Sequence, residues 1–299
     1  MRKWVIGGGL IVLALFVGVG AGSMNIYRAL MMPSDSARIA IMPKVRTLAD
    51  ARINEDERWW EARAGQGPGF EEGSYLAAEG SGQFVILLDD TPALSKGSVY
   101  SLARYYAESR RYDVLLLQQT SEPEGYGWTE QDRLNEAIEW AVTTKGEDIQ
   151  LILHGIGTGA AAMNFALGEK QPSQVKLAIS DSSYARLDEL FGGWGERLDY
   201  PAGPFLAGAS AINKVTQDFF YGDASVTREV AKTMVPLLFI HGTKDEAIPV
   251  KSVYELYQAK LGMKQLYLVR GGEHGTAFLS DEENYKKRLD LFIEPFLRQ

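Results

Sequence analysis

The chain has no cysteine and only three histidines among its 299 residues. Without cysteine there are no disulfides and no thiolate metal centres. That composition suits an exported protein of some bacteria, although it selects no compartment. Clustered positive charge is missing as well. Asp and Glu outnumber Lys and Arg by 39 to 31, giving a formal net charge of -8. No stretch gathers Lys and Arg into the basic patch that nucleic acid requires, so nucleic acid is not an expected partner. Repeats and low-complexity tracts are absent. Charge is also absent from Trp4 to Tyr27, and this gap is informative.

Met1-Arg2-Lys3 precedes the uncharged run. As a helix the run reaches roughly 36 Å, enough to cross a hydrocarbon core of about 30 Å with some tilt. Arg2 and Lys3 on the short side predict a single-pass anchor over residues 4–27 in the cell membrane, with the N-terminus cytoplasmic and the rest extracytoplasmic. The competing reading is a cleaved signal peptide with an apolar region over Val5–Val19 and a cleavage site at Val19-Gly20-Ala21. The anchor is preferred because the apolar run passes that site and ends only at Arg28. Ala14, Gly18 and Gly22 form a small-residue ladder that could join two such helices in a homodimer. Glycine is common in membrane helices without that role.

Residues 28–80 read as a connector, with one candidate amphipathic helix over Val45–Glu61. From residue 81 onward short apolar runs alternate with helix-length segments, the pattern of βαβ units around a mostly parallel sheet. The runs are Phe84–Leu88, Val114–Leu117, Ile149–Leu153, Val175–Ile179, Pro236–Ile240 and Gln265–Val269. Their continuous hydrophobicity suits strands covered by helices on both faces. Candidate helices lie between them, at Ser98–Ser109, Trp128–Val142, Gly159–Leu167, Lys251–Leu261 and Glu282–Leu297. Residues 184–226 break the alternation and read as a lid over the strand ends, where α/β sheets bind ligands.

All three histidines fall in three motifs. His154-Gly155-Ile156-Gly157-Thr158-Gly159 follows a strand and opens a helix. That is the setting of the G-x-S-x-G nucleophile elbow, but Gly157 stands where serine would be. His241-Gly242-Thr243-Lys244-Asp245 ends a strand and presents Asp245. Gly271-Gly272-Glu273-His274-Gly275 follows the last strand. The order elbow, acid, histidine is that of α/β hydrolases.

With Gly125-Tyr126-Gly127-Trp128, Ile179-Ser180-Asp181-Ser182-Ser183-Tyr184 and Pro236–Gly242, these motifs resemble the α/β hydrolases related to Bem46 and the serine aminopeptidase clan. The resemblance is greatest to their membrane-anchored, extracytoplasmic Gram-positive members and covers roughly residues 80–299. It implies an α/β-hydrolase fold with Asp245 as acid and His274 as base, and Thr158 N–H as one oxyanion donor. The second donor would be the backbone N–H of Thr91. The chain departs from the pattern at Gly157. It departs again at Asp89-Asp90, where the family has His-Gly, and at Gln118-Gln119-Thr120, where it has Arg-Gly-His-Gly.

Covalent catalysis needs a nucleophile within reach of the histidine, and glycine offers none. Serine-less triads retain about 10³ to 10⁴ over water. A carboxylate about 5 Å from a developing oxyanion opposes it by roughly 3 kcal/mol at an effective dielectric near 20, as much as one oxyanion donor supplies. Asp89 and Asp90 read either as a solvated loop start or as groups lining the former pocket. A metal site at Asp89, Asp90 and His274 is the least favoured reading, so no metal and no cofactor is expected. His154 and His241 are expected to be structural, and Asp245 and His274 to remain paired.

The expected function is therefore a membrane-anchored pseudo-hydrolase, with a small acyl or ester-like compound as its candidate ligand. Two alternatives stand beside it. One is an ester or acyl hydrolase in which Asp245–His274 activates water, and the other is a membrane scaffold.

Overall fold

The computed structural model describes residues 18–32, 47–67, 73–78, 82–90, 98–118, 125–197 and 202–297. The chain divides into two compact units, Met1–Ile41 with Leu187–Ala224, and Met42–Arg186 with Ser225–Gln299.

The larger unit is built on strands β1 (Gly65–Gln66), β2 (Gly73–Leu76), β3 (Gln83–Leu88), β4 (Asp113–Leu117), β5 (Gln150–Ile156), β6 (Val175–Asp181), β7 (Leu237–Gly242) and β8 (Lys264–Val269). They form one sheet in the order β1-β2-β4-β3-β5-β6-β7-β8. β3 to β8 are mutually parallel, whereas β2 runs antiparallel to β4 and β1 antiparallel to β2. Every residue of β4, β5 and β7 is buried, as helices on both faces require. The core gathers Val85, Leu87, Val114, Leu116, Ile152, Ile179, Leu238 and Ile240 from the strands with Tyr106, Tyr285 and Phe292 from the helices.

The six apolar runs all appear as strands, with ends shifted by a few residues. The connector is corrected. The sheet begins inside it, because β2 pairs with β4 in the register Gly73↔Leu117 to Leu76↔Val114. Tyr75 stacks on Phe84 with ring centroids 5.8 Å apart, and its hydroxyl donates to Asp113 Oδ2 at 3.0 Å. A four-residue strand opened by glycine is too short to show alternation, so the pattern alone did not mark it. The helix expected at Val45–Glu61 forms over Thr47–Glu61. Arg186 and Ser225 pair as an isolated antiparallel bridge, so the 187–224 insertion leaves and rejoins the larger unit at one point.

The smaller unit holds the insertion and the helix over residues 18–31. The insertion is helical at Leu187–Arg197 and Ala202–Gln217. Ser23, Ile26, Tyr27, Leu30 and Met31 form the buried stripe of the first helix, at the three- and four-residue spacing of one helical face. That face meets Ala202–Gln217. The Tyr27 and Thr216 hydroxyls lie 2.9 Å apart. A Cβ on Gly208 would come within 2.0 Å of Ser23 Oγ, and one on Gly22 within 2.4 Å of the Phe205 ring.

Two expectations change here. The helix does not end at Tyr27, because its packed stripe carries it on to Met31. Gly22, one rung of the proposed dimer ladder, is taken up by Phe205 of the same chain. Among the described residues no helix is long and apolar enough to cross a membrane. Residues 4–17 of the expected anchor lie outside the described residues.

Candidate active site

β5 turns into the helix Gly157–Leu167 without an intervening loop. Ile156 is extended, at φ −117 and ψ 136. Gly157 follows in the left-handed region at φ +56. A Cβ on Gly155 would lie 2.5 Å from Ala160 Cα, and one on Gly159 would lie 2.4 Å from the Asp89 carbonyl oxygen. A strained strand-to-helix turn is therefore present, with Gly157 at its apex. The Gly125–Trp128 motif backs this turn. A Cβ on Gly127 would come within 2.6 Å of Ala162 N, and the Glu130 carboxylate accepts the N–H groups of Gly125 and Gly127 at 3.0 and 2.8 Å.

Asp90 fills the space beside Gly157. A Cβ on Gly157 would lie 2.2 Å from Asp90 Oδ2, 2.3 Å from its Cγ and 2.4 Å from its Oδ1. Oδ1 accepts both the backbone N–H and the hydroxyl of Thr158, each at 2.8 Å. Oδ2 lies 2.6 Å from His274 Nε2. The Asp90 carboxylate thus takes Thr158 with one oxygen and His274 with the other.

The acid is in place behind the base. His274 Nδ1 lies 2.7 Å from Asp245 Oδ2. Asp245 Oδ1 accepts the N–H groups of Ala247 and Ile248 at 3.0 and 2.8 Å, which fixes its orientation. A carboxylate on each ring nitrogen requires both nitrogens to donate, so His274 is an imidazolium. Burial opposes that charge, but Asp245 and Asp90 outweigh it and hold the His274 pKa well above its ordinary value. Asp245 is moved in the opposite sense. Burial would raise it, yet the charges and hydrogen bonds of His274 and His241 hold it below the usual carboxylate range. Both ring nitrogens of His274 are occupied by carboxylates, so neither is open to a metal.

Asp89 is buried beside this triad, and its Oδ1 accepts the Asp90 N–H at 2.8 Å. Burial, then the neighbouring Asp90 charge, pushes its pKa up to about 8. Reading Asp89-Asp90 as a solvated loop start is corrected, since they are 9% and 1% exposed. The apolar run Phe84–Leu88 of β3 does not reveal whether the acids after it turn inward. Asp90 is buried because a histidine from the loop after β8 and a threonine from the elbow receive it.

The other histidines are structural. Burial lowers the His154 pKa to about 3, so its ring is neutral. Tyr285 donates to Asp181 Oδ2 at 2.8 Å and must accept from His154 Nε2 at 3.2 Å. That leaves His154 Nδ1 to accept from Tyr106 at 3.0 Å. His241 Nε2 donates to the Ile248 carbonyl at 2.9 Å. Tyr106 and Tyr285 were not among the sequence candidates, since a tyrosine on a helix face reads first as core. Thr91 lies outside the described residues.

The mostly parallel sheet flanked by helices superposes on solved structures of the same fold. An esterase of Pyrococcus furiosus, Pf2001, superposes with a TM-score of 0.56 at 18% identity, over 75% of this chain and 86% of that one. The fold is the α/β-hydrolase fold. An acylaminoacyl peptidase of Pyrococcus horikoshii matches with a TM-score of 0.53 at 18% identity, over 78% of this chain and 41% of that one. A puromycin-hydrolyzing peptidase of Mycobacterium tuberculosis matches with a TM-score of 0.56 at 16% identity, over 76% and 37%. Among curated sequences, an uncharacterized Bacillus subtilis protein, YqkD, is 28% identical over 171 residues, 56% of either chain. An uncharacterized Escherichia coli protein, YfhR, is 28% identical over 152 residues, 48% of this chain and 45% of its own length. The chain spans about half the length of these curated relatives. No family model matches it.

Proposed function

We propose that this protein is a pseudo-hydrolase of the Bem46-like kind, with its acyl-transfer centre occupied by its own Asp90. The carrying observation is that carboxylate, seated against Thr158 N–H and His274 Nε2 at 2.8 and 2.6 Å. A serine hydrolase must keep both groups free, one to receive the oxyanion and the other to take the serine proton. The same contacts weigh against the water-activation reading, because an imidazolium has no lone pair with which to accept a proton from water.

A fluorophosphonate probe, which acylation-competent serines attack, should leave the protein unlabelled. Hydrolysis of p-nitrophenyl acetate should stay within about 10³ to 10⁴ of the rate in water. Stoichiometric labelling of any serine would end the proposal.

The proposal includes a single-pass tether with an extracytoplasmic domain, supported by Arg2 and Lys3 before the uncharged run. Residues 22–31 supply a packed helical face, so the span would be residues 4–21, about 27 Å long. Protease added to intact protoplasts should digest the domain. A protected domain would refute the orientation, and a mature N-terminus at Gly22 would refute the tether. The 187–224 insertion is proposed as the lid, and a small acyl or ester-like compound as the ligand class.

A further inference from the structure

We infer that the slot between Thr158 and His274 is a binding site for a small free monocarboxylate, with the Asp90 side chain as its resident intramolecular occupant. The inference rests on the pseudo-hydrolase reading and names the ligand that such a site would take.

Three donors converge on one planar carboxylate. Thr158 N–H and Oγ–H point at one oxygen, each at 2.8 Å. The His274 imidazolium points at the other oxygen at 2.6 Å. Charge-assisted bonds to both oxygens of a carboxylate are the strong, orienting kind. The donors come from the elbow and from the loop after β8, neither of which contains Asp90. His274 is held from behind by Asp245, and Asp245 by two backbone N–H groups. The receptor therefore keeps its shape if Asp90 withdraws.

Gly157 supplies the room, since any Cβ there would come within 2.4 Å of all three carboxylate atoms. The slot also fits one class of anion. A planar group with two oxygens satisfies every donor, whereas a tetrahedral phosphate would leave oxygens facing no donor. A neutral ester would supply no charge opposite His274 Nε2, leaving Asp245 as the counter-charge on the other ring nitrogen.

Trimming Asp90 to glycine removes the atoms of an acetate ion, a CH₂ carbon carrying a carboxylate. Acetate is therefore the natural probe. The tethered carboxylate competes at an effective concentration of millimolar or more, so acetate should bind Asp90→Gly saturably and wild type, where the slot is filled, more weakly.

The test follows the His274 ring by NMR during acetate titration of wild type, Asp90→Gly, Asp90→Ala and Asp90→Asn, with chloride as control. In Asp90→Gly and Asp90→Ala the His274 pKa should fall, and acetate should restore it saturably. In Asp90→Asn an amide still fills the slot, so acetate should have no effect. If the emptied variants unfold alone, acetate up to ~100 mM should rescue their thermal midpoints where chloride does not. A His274 ring and a thermal midpoint both indifferent to acetate in the Gly and Ala variants would overturn the site, while leaving the pseudo-hydrolase reading intact. An equal response in Asp90→Asn would overturn it too, by placing the anion elsewhere. Fluorophosphonate labelling of the wild type would instead remove the pseudo-hydrolase reading alone.

Discussion

Gly157→Ser is the substitution that would be chosen to revive a hydrolase, and on this structure it should damage the protein first. Its Cβ would sit 2.2 Å from Asp90 Oδ2, whereas non-bonded contact begins near 3.5 Å, so the carboxylate must retreat by roughly 1 Å. That retreat stretches the 2.6 Å contact with His274 beyond hydrogen-bond range. A hydrogen bond to a charged group is worth about 1.5–3 kcal/mol, and the left-handed backbone at position 157 costs a side chain about 1–2 kcal/mol more. The sum is about 3–5 kcal/mol, or a fall in Tm of roughly 10 °C for a protein of this size. In an Asp90→Gly background only the backbone part remains, about 1–2 kcal/mol. Chemical denaturation of wild type, both single variants and the double variant forms a cycle whose coupling should be at least about 2 kcal/mol. The double variant should also hydrolyse p-nitrophenyl acetate at least about tenfold faster than Gly157→Ser, because Thr158 N–H is then free to serve the oxyanion. Additivity within about 0.5 kcal/mol, or equal rates, would show that Asp90 does not occupy the nucleophile's space.

Further outcomes follow from the charges. Asp245→Asn should lower the His274 titration midpoint measured by NMR, and an unchanged curve would mean that the 2.7 Å contact is absent in solution. His154 should remain neutral down to about pH 4, given its burial-lowered value of about 3. Asp89 sits at about 8 in the folded chain and near 3.9 when unfolded, so between those values the folded state holds the extra proton and stability falls as pH rises. His274 has the same sign: its stabilisation is full below about pH 6.5 and is lost as pH climbs through its raised folded value. Asp245 acts oppositely, but only below about pH 4. Tm should therefore decline between about pH 5 and 9, and the decline should be shallower in Asp89→Asn. Identical slopes in the two proteins would refute the buried, protonated Asp89.

The parallel sheet was legible because strands such as Val114–Leu117 are buried on both faces and carry unbroken apolar runs. β2 was not, because Gly73–Leu76 takes its place from Tyr75 lying on Phe84 and from its register with β4. Neither is visible within four residues. Asp245 and His274 could be assigned from loop position, since each follows a strand whose end is fixed by the fold. The burial of Asp90 could not. Its direction is decided by partners 68 and 184 positions away in the chain, and the residues around it look like an ordinary polar turn. Gly157 alone reads as a loss. With Asp90 in view it is the space that the carboxylate needs.

That interlock also constrains history. A serine at position 157 and an inward carboxylate at position 90 exclude one another at 2.2 Å. Any path from a serine-bearing ancestor must therefore have given up the hydroxyl no later than it acquired the acid. The return path runs only through the acid, because a serine restored first meets the carboxylate, whereas loss of the carboxylate first leaves His274 paired with Asp245. The pair therefore fixes the order of events in both directions: the hydroxyl is lost before the acid is gained, and the acid is lost before the hydroxyl is regained.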